Sequence, residues 1–324
     1  MNCRLFNSFW LGPSDALTMT LMSRKRRNLQ MMQLEKLRMV FGAIVCLMPG
    51  PILGADLKPE TLRRWEEYIQ TVDARNQARL ASGATFLSSD EIPEQMAKVR
   101  AGEIVVTPVG PHVPMKVPSG LIHDWAAAVF LPGTTLDGIL SVVRNYDRYK
   151  DFYRPNVIES KRISTTDARD QFSMTIMNKS VVAKTALHFE YQTLYQHIDD
   201  HRLYSITEST CIQEIADYDT PSQHVLPEDH GTGLIWRLHS VTRFEERDGG
   251  VYIEVEGVAL SRDIPLALRW FVDPIVRRIS RSSLTTSLQK TETAVRLNSP
   301  STDATSARVS SPAPTHAARP GFPN

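Results

Sequence analysis

The chain has 324 residues, of which 42% are hydrophobic and 23% are charged, so its composition is that of an ordinary globular protein with one or two domains. The net charge is +1, but residues 1–55 hold seven Lys and Arg against only Asp15 and Glu35, which leaves residues 56–324 net acidic. An acidic domain gives no electrostatic reason to bind nucleic acid.

The first predicted element is an export signal. The run Met39–Ala55 carries no charge and follows a basic stretch, and its apolar part, Met39–Met48, is ten residues long. A membrane-spanning helix needs about 20 apolar residues, and Pro49 and Pro51 would break a helix here. The pattern predicts a leader with a signal peptide over residues 1–55, and hence a periplasmic or extracellular protein.

Cleavage is expected after Ala55. An uncleaved N-terminal segment that retains the protein at the membrane is one alternative, and a lipoprotein modified at Cys46 is another. Cleavage would remove Cys3 and Cys46 and leave Cys211 as the remaining cysteine, so no internal disulfide is expected.

Residues 56–101 are predicted to form an N-terminal helix and a polar connector. In Asp56–Ser82, apolar residues recur at helical spacing and Pro59 suits the first turn. The opposite side of this helix carries charged residues, among them Arg75. A short strand is expected at Glu103–Val109.

The pattern then changes to long strands, and residues 102–297 are predicted to form one domain. An apolar strand, Leu121–Leu131, precedes a helix over Thr135–Phe152. Residues 217–232 are predicted to be a long polar loop. Six further strands are expected at Val157–Ser164, Phe172–Val182, Thr185–His197, Arg202–Ala216, Leu234–Glu246 and Val251–Arg262.

Two hairpins define the faces of this predicted sheet. The Asp248-Gly249 turn pairs Arg243 with Glu254 on a face expected to be charged and wet. The other face is apolar with a few hydroxyls, and it holds Trp236, Leu238, Ser240, Thr242, Phe244, Ile253, Val255, Gly257, Ala259 and Ser261. A similar turn at Asp199-Asp200 is expected to place Tyr191, Tyr195, Tyr204 and Glu208 on one shared face.

The chain is predicted to end in helix and tail. A short helix, Pro265–Val272, and a long one from Pro274 to about Leu297 are expected, interrupted at Asp273-Pro274. The arginines of this region would face solvent or, alternatively, contact anionic lipid headgroups. Residues 298–324 are rich in Ser, Pro, Ala and Thr and are predicted to be disordered.

The order strand, helix, six strands and C-terminal helix resembles the START-like (SRPBCC) superfamily. The segments SGLIHDWAAAVFLPG, YDRYKDFY and RFEERDGGVYIEVEGVALSRDIPLALRWFVDPIVRR are similar to a group of exported bacterial START-like proteins. The resemblance implies an α+β helix-grip fold, in which a curved seven-stranded antiparallel sheet surrounds a long C-terminal helix and an internal cavity. Here an extra N-terminal helix is added.

The candidate site is the lining of that cavity. Its candidates are His123, Trp125, Trp236, Leu238, Ser240, Thr242, Phe244, Ile253, Val255, Ser261, Phe271 and Ile275, with Tyr191, Tyr195, Tyr204 and Glu208 as weaker polar candidates. His123 beside a tryptophan could serve as an acid, a base or a ligand hydrogen-bonder, or could be a satisfied core residue. The sequence identifies no catalytic residues. No HExxH or CxxC spacing occurs, so neither a metal nor another cofactor is expected.

The resulting hypothesis is an exported protein that binds or carries a hydrophobic ligand, such as a lipid or an isoprenoid-like molecule. The alternatives are a cyclase or dehydratase acting on an apolar or aromatic substrate in the same cavity, and an envelope interaction protein. Ligand entry is expected to use a gate formed by loop 217–232 and the short helix 265–272, unless Asp273-Pro274 is only a capped corner.

Overall fold

The computed structural model describes residues 55–82, 85–179, 184–264 and 266–298, and for 178–179, 184–185 and 266–277 only the course of the backbone. Almost all of the predicted leader and tail therefore lies outside the described residues. The helices are α1 (Pro59–Ala81), α2 (Pro93–Arg100), α3 (Leu136–Val143), α4 (Tyr149–Phe152) and α5 (Leu266–Asn298). In the described part, no helix is both long and apolar enough to cross a bilayer.

Twelve strands are found among the described residues. They are β1 (Ala55–Asp56), β2 (Val105–Pro108), β3 (Met115–Val117), β4 (Gly120–Pro132), β5 (Val157–Thr165), β6 (Arg169–Lys179), β7 (Lys184–His197), β8 (Arg202–Ala216), β9 (His224–Val225), β10 (His230–Gly231), β11 (Arg237–Arg247) and β12 (Gly250–Arg262).

One large antiparallel sheet organises the molecule, which confirms the predicted α+β class. Its order is β2-β4-β12-β11-β8-β7-β6-β5, with β3 added beside β4 and β9 beside β8. Each of the seven long strands overlaps the range that the sequence pattern predicts for it, but β6 starts earlier, at Arg169, and its predicted end at Val182 lies outside the described residues. The short β2, β3 and β9 bring the sheet to ten strands.

The register of the β11–β12 hairpin is confirmed. Asp248 and Gly249 both have positive φ, as a tight hairpin turn requires, and Arg243 pairs with Glu254. Because side chains alternate along a strand, this register fixes which residues of the central strands share a face.

The two faces of the sheet are covered by different helices. On the inner face, Trp125, Val129 and Ile253 share a core with Leu288 and Val295 of α5. On the outer face, α1 packs its apolar stripe onto the sheet. That second core contains Trp65 and Val72 of the helix and Ile122, Phe130, Tyr252 and Val258 of the sheet.

The expectation of a wet outer face is wrong. Arg243 and Glu254 are only 2% and 3% exposed. The side chain of Arg243 donates to Glu254 and to Asn76 of α1, while Glu254 also accepts from the backbone N–H groups of Ser88 and Ser89. The N-terminal helix and the turn after it therefore cover the charged face that the pattern assigns to solvent.

Three helical predictions also need correction. The backbone of α5 is helical without interruption from Leu266 to Asn298, so no break occurs at Asp273-Pro274. The helix predicted over Thr135–Phe152 is divided, because Asn145 leaves the helical conformation with ψ 63°. The connector 84–101 contains a 3-10 turn at Ser88–Glu91 and helix α2.

Candidate functional site

The middle of the inner face is partly accessible, whereas the outer face behind it is closed. Along β12, Val255, Gly257 and Ala259 are partly exposed, and along β11 the same is true of Leu238, Ser240 and Thr242. Their outward-facing neighbours Val241, Arg243, Glu254, Glu256 and Val258 are all buried. Since both strands are central in the sheet, this accessibility belongs to the inner face and not to a sheet edge. We call this region, with Thr207 and Ser209 of β8, the inner groove.

A polar row crosses the floor of the inner groove. The register places Trp125, Gly257, Ser240, Thr207, Thr193 and Asp170 side by side on six successive strands. The hydroxyls of Thr193 and Thr207 are 2.8 Å apart and hydrogen-bonded. The next row contains Val255, Thr242, Ser205 and Tyr195.

Apolar residues flank these polar rows on both sides. Toward one end of the strands lie Leu203, Phe244 and Ile253. Toward the other lies a series of stacked aromatic rings, in which Phe172 is 4.1 Å from Tyr146 and 5.0 Å from Tyr191 between ring centroids. The inner face therefore combines apolar ends with a hydroxyl-lined centre.

A buried carboxylate stands at the end of the polar row. Asp170 is fully buried and accepts two hydrogen bonds from Arg144, at 2.9 and 2.8 Å, and one from the hydroxyl of Tyr146 at 2.9 Å. The hydroxyls of Tyr146 and Tyr195 are 2.7 Å apart. We call these four residues the Asp170 network.

Burial dominates the electrostatics of the tyrosines. It raises the pKa of Tyr195 to about 12, and it raises the pKa of Tyr146 and of Tyr191 still further. The phenols are therefore neutral at physiological pH. They can donate or accept hydrogen bonds but do not supply a base.

The Asp170 network was not predicted from the sequence. The predicted strand β6 begins at Phe172, whereas the observed strand starts at Arg169, after a turn closed by the backbone hydrogen bond from Thr166 N–H to Arg169 O. Extending the alternation of Phe172 and Met174 back by one step would have placed Asp170 on the inner face. This alternation is the sequence pattern from which the position of Asp170 could have been predicted.

Most of the predicted cavity residues share the inner face, namely His123, Trp125, Leu238, Ser240, Thr242, Phe244, Ile253, Val255 and Ser261, together with Tyr191 and Tyr195. His123 and Ser261 are in contact, with Nε2 and Oγ 2.9 Å apart. Phe271 and Ile275 lie on α5, in the stretch for which only the backbone is described.

Trp236 lies elsewhere. It precedes β11, and its ring joins the outer core with Val258 and Leu260. The turn at Gly233, with φ 69°, packs so closely against this ring that a Cβ there would come within 2.7 Å of it.

The shared face predicted for four polar residues is wrong for two of them. Tyr204 is opposite Gln196 and lies in the outer core, while Glu208 is opposite Gln192 and exposed. The turn between β7 and β8 has three residues, closed by the bond from Ile198 N–H to Arg202 O, instead of two. A shift of one residue in register moves side chains to the opposite face.

A second depression is chemically different from the inner groove. It is an open cleft of about 550 Å³ between the start of α3 and the β7–β8 turn. Its lining includes Asp137, Asp199, Asp200 and Glu246, and Glu246 accepts the backbone N–H of Leu136. This acidic surface is unsuited to an apolar ligand. Within the described residues, no cluster of His, Cys, Asp and Glu is arranged to hold a metal ion.

No protein family and no curated protein matches this chain. Three similar solved structures are a STAR-related lipid transfer protein from Xanthomonas axonopodis, human STARD10 and the Zhui aromatase/cyclase from a Streptomyces species. Their identities to this chain are 14%, 10% and 7%, and their TM-scores are 0.40, 0.37 and 0.35. The matches cover 59%, 68% and 54% of this chain and 98%, 84% and 94% of theirs.

Proposed function

We propose that the chain is an exported binding or carrier protein for a small hydrophobic ligand, held in the inner groove. One observation carries the proposal: the inner positions of the two central strands are accessible, while the outer positions are buried under α1. A sheet that only filled a core would bury both sets. An accessible floor is what a molecule bound between the sheet and α5 would require.

The composition of the inner groove fits an apolar molecule with a small polar group. Leu238, Val255 and Ala259 supply apolar contact, and Ser240 and Thr242 supply hydroxyls. Ligand sites of this kind are mostly apolar, with a few polar groups that orient the bound molecule. A lipid or an isoprenoid-like molecule has this composition.

Filling the groove at Gly257 is expected to weaken ligand binding without unfolding the protein. A Cβ at this position would meet only Leu284 Cδ2, at 3.6 Å, which is ordinary van der Waals contact. We expect Gly257→Ala to bind stearyl alcohol about as well as the wild type, and Gly257→Leu to bind it at least about tenfold more weakly. Native mass spectrometry measures both, after lipid extraction of the purified protein to identify any molecule that it already holds.

Thermal unfolding is the control for this pair of variants. If Gly257→Leu keeps its Tm and still binds the alcohol as the wild type does, the ligand is not in the inner groove. If neither the extract nor the added alcohol yields a complex with the wild type, the carrier function is wrong.

A cyclase or dehydratase is the second candidate. The contact between His123 and Ser261 favours it, because an imidazole on the inner face could move a proton. The Asp170 network supplies hydrogen bonds and not a base within reach of a substrate, since its tyrosines remain protonated and Asp170 is fully buried behind Arg144 and Tyr146. Conversion of a bound polyketone to a product of lower mass in the same mass spectra would favour the enzyme over the carrier.

Export is also part of the proposal. The residues that follow the expected cleavage site are held in the fold, because Asp56 lies 2.7 Å from His230 and the N–H of Leu57 donates to Asp229. A chain cut after Ala55 would keep both contacts. We expect N-terminal sequencing of protein from the periplasm to begin at Asp56. An intact N-terminus on protein recovered from the cytosol would overturn the proposed export.

Peripheral contact with membrane lipid is proposed for one side of α5. Ile279 is 56% exposed between Arg278 and Arg281, which are exposed as well. An apolar side chain between two arginines suits the interface of an anionic membrane.

A further inference from the structure

We infer that the ligand of the inner groove is a neutral molecule with a hydrogen-bond donor, in its simplest form an alcohol, and that Tyr195 accepts this hydrogen bond. The inference rests on the proposed function and adds the chemistry of the ligand's polar end. It follows from the direction in which the protons of the Asp170 network must point.

The carboxylate of Asp170 sets the direction of the hydrogen bonds in this network. Asp170 can only accept, and Arg144 can only donate, so the Asp170–Arg144 pair is fixed. The hydroxyl of Tyr146 has a single proton, which it donates to Asp170. Its oxygen must therefore accept in the 2.7 Å contact with Tyr195, and Tyr195 must donate there.

The hydroxyl oxygen of Tyr195 remains available as a hydrogen-bond acceptor. Its one proton is used by Tyr146, so its oxygen can bind a further partner only by accepting a hydrogen bond. The carboxylate polarises the two phenols in series, which strengthens the acceptor at the end of the series. Burial raises the pKa of Tyr195 to about 12, so its proton stays in place at neutral pH.

Tyr195 is also the member of this series that a ligand can reach. Asp170 and Tyr146 are 0% and 1% exposed, whereas Tyr195 is partly exposed. In the sheet it is opposite Ser205, and Ser205 is opposite Thr242 of the inner groove. A molecule lying over Val255 and Thr242 would therefore have its end at Tyr195.

The charge of this region excludes anionic ends. Arg144 is already paired with Asp170, so no free cation remains in the network for a carboxylate or a phosphate. An anion offers only acceptors, and it would meet an acceptor oxygen close to a buried carboxylate. A donor such as a hydroxyl complements the same arrangement.

The test compares three probes of one chain length: stearyl alcohol, its methyl ether and stearic acid. With the wild type, we expect the alcohol to bind about tenfold more tightly than the ether or the acid, the effect of one hydrogen bond to a polarised group. Tyr195→Phe removes the acceptor, and alcohol and ether should then bind equally. Titration calorimetry measures each affinity.

Tyr146→Phe provides the sharper variant. It keeps the hydroxyl of Tyr195 but frees its proton, so Tyr195 can now donate and the ether should gain affinity relative to the wild type. A purely structural effect of the substitution would instead weaken all three probes alike. Tyr204→Phe is the matched control, because this tyrosine lies in the outer core and its buried hydroxyl has no hydrogen-bond partner among the described residues. This variant should keep the preference for the alcohol.

The outcomes separate the two proposals. If none of the probes binds the wild type, the proposed function fails. If all three bind, but equally, or if Tyr195→Phe keeps the preference for the alcohol, the groove is a ligand site and the assignment of Tyr195 is wrong.

Discussion

Replacement of Arg243 by methionine is expected to lower the free energy of unfolding by about 3 kcal/mol or more. The side chains of Arg243 on β11 and Glu254 on β12 are 3% and 4% exposed and form an ion pair of 3.1 Å across these two strands, on the face that α1 covers. Without the guanidinium, Glu254 would be a buried carboxyl group that has lost its cation, and Ser88 and Ser89 would be its remaining donors among the described residues. Asn76 would also lose its partner. Urea denaturation of the wild type and the variant measures the difference.

Two further variants make this result specific. Glu254→Met combined with Arg243→Met should be less destabilising than the sum of the single changes, because removing both partners leaves no unpaired charge. Arg64→Met breaks an exposed pair with Glu67 and should cost less than about 1 kcal/mol. An Arg243→Met protein as stable as the wild type would mean that α1 does not bury this pair.

The second large effect is a dependence of stability on pH at Asp124. Burial, and next the charge of Glu256, raise the pKa of this carboxyl from 3.8 to about 7. The folded protein therefore holds a proton that the unfolded chain releases. Its contribution to stability is complete below about pH 4 and is lost as the pH rises through about 7. The loss is on the order of a few kcal/mol.

Asp124→Asn should remove most of this dependence. The amide keeps an acceptor for the hydroxyl of Tyr68, which donates to Asp124 at 2.7 Å, and adds no charge beside Glu256. Denaturation at about pH 5 and about pH 8 should show a large loss of stability for the wild type and a small one for the variant. The matched control is Asp200→Asn, at an exposed turn.

Other charged groups lie near the carboxyl of Asp124 and affect how the pH dependence of stability is interpreted. Arg75 of α1 lies 3.9 Å from Asp124 and also pairs with Glu256, while Asp73 of α1 lies 3.1 Å from His239. A variant at Asp124 that kept the full pH dependence of the wild type would mean that this carboxyl does not carry the effect.

The sequence predicted the strands well because the relevant signals are local. The turn Asp248-Gly249 and the alternation around it fix the β11–β12 register, and with it most of the residues of the inner groove. Where a predicted turn or strand start was wrong by one or a few residues, side chains were assigned to the wrong face or overlooked. The turn closed by Ile198 and Arg202 has three residues instead of two, so Tyr204 lies on the outer face. The predicted start of β6 at Phe172 came too late in the chain to include Asp170.

The burial of the outer face under α1 could not be predicted from local sequence signals. Arg243, Glu254 and Glu256 form a charged surface, and a charged surface normally faces water. Whether another element buries it depends on where α1 docks, which the periodicity of either segment does not specify. Arg75 and Asn76 of α1 hydrogen-bond to Glu256 and Arg243 of the sheet. In the sequence, these polar residues do not indicate which surface α1 covers.

The docking of α1 also constrains the order in which the parts of the protein fold. Arg75 and its partner Glu256 are 181 residues apart in the chain, and Asn76 and Arg243 are 167 apart. Since the partners of α1 lie on β11 and β12, this helix cannot be buried on the outer face until those two late strands have formed. Folds dominated by such distant contacts form slowly. The helix α1 therefore remains undocked until nearly all of the described chain is available to fold.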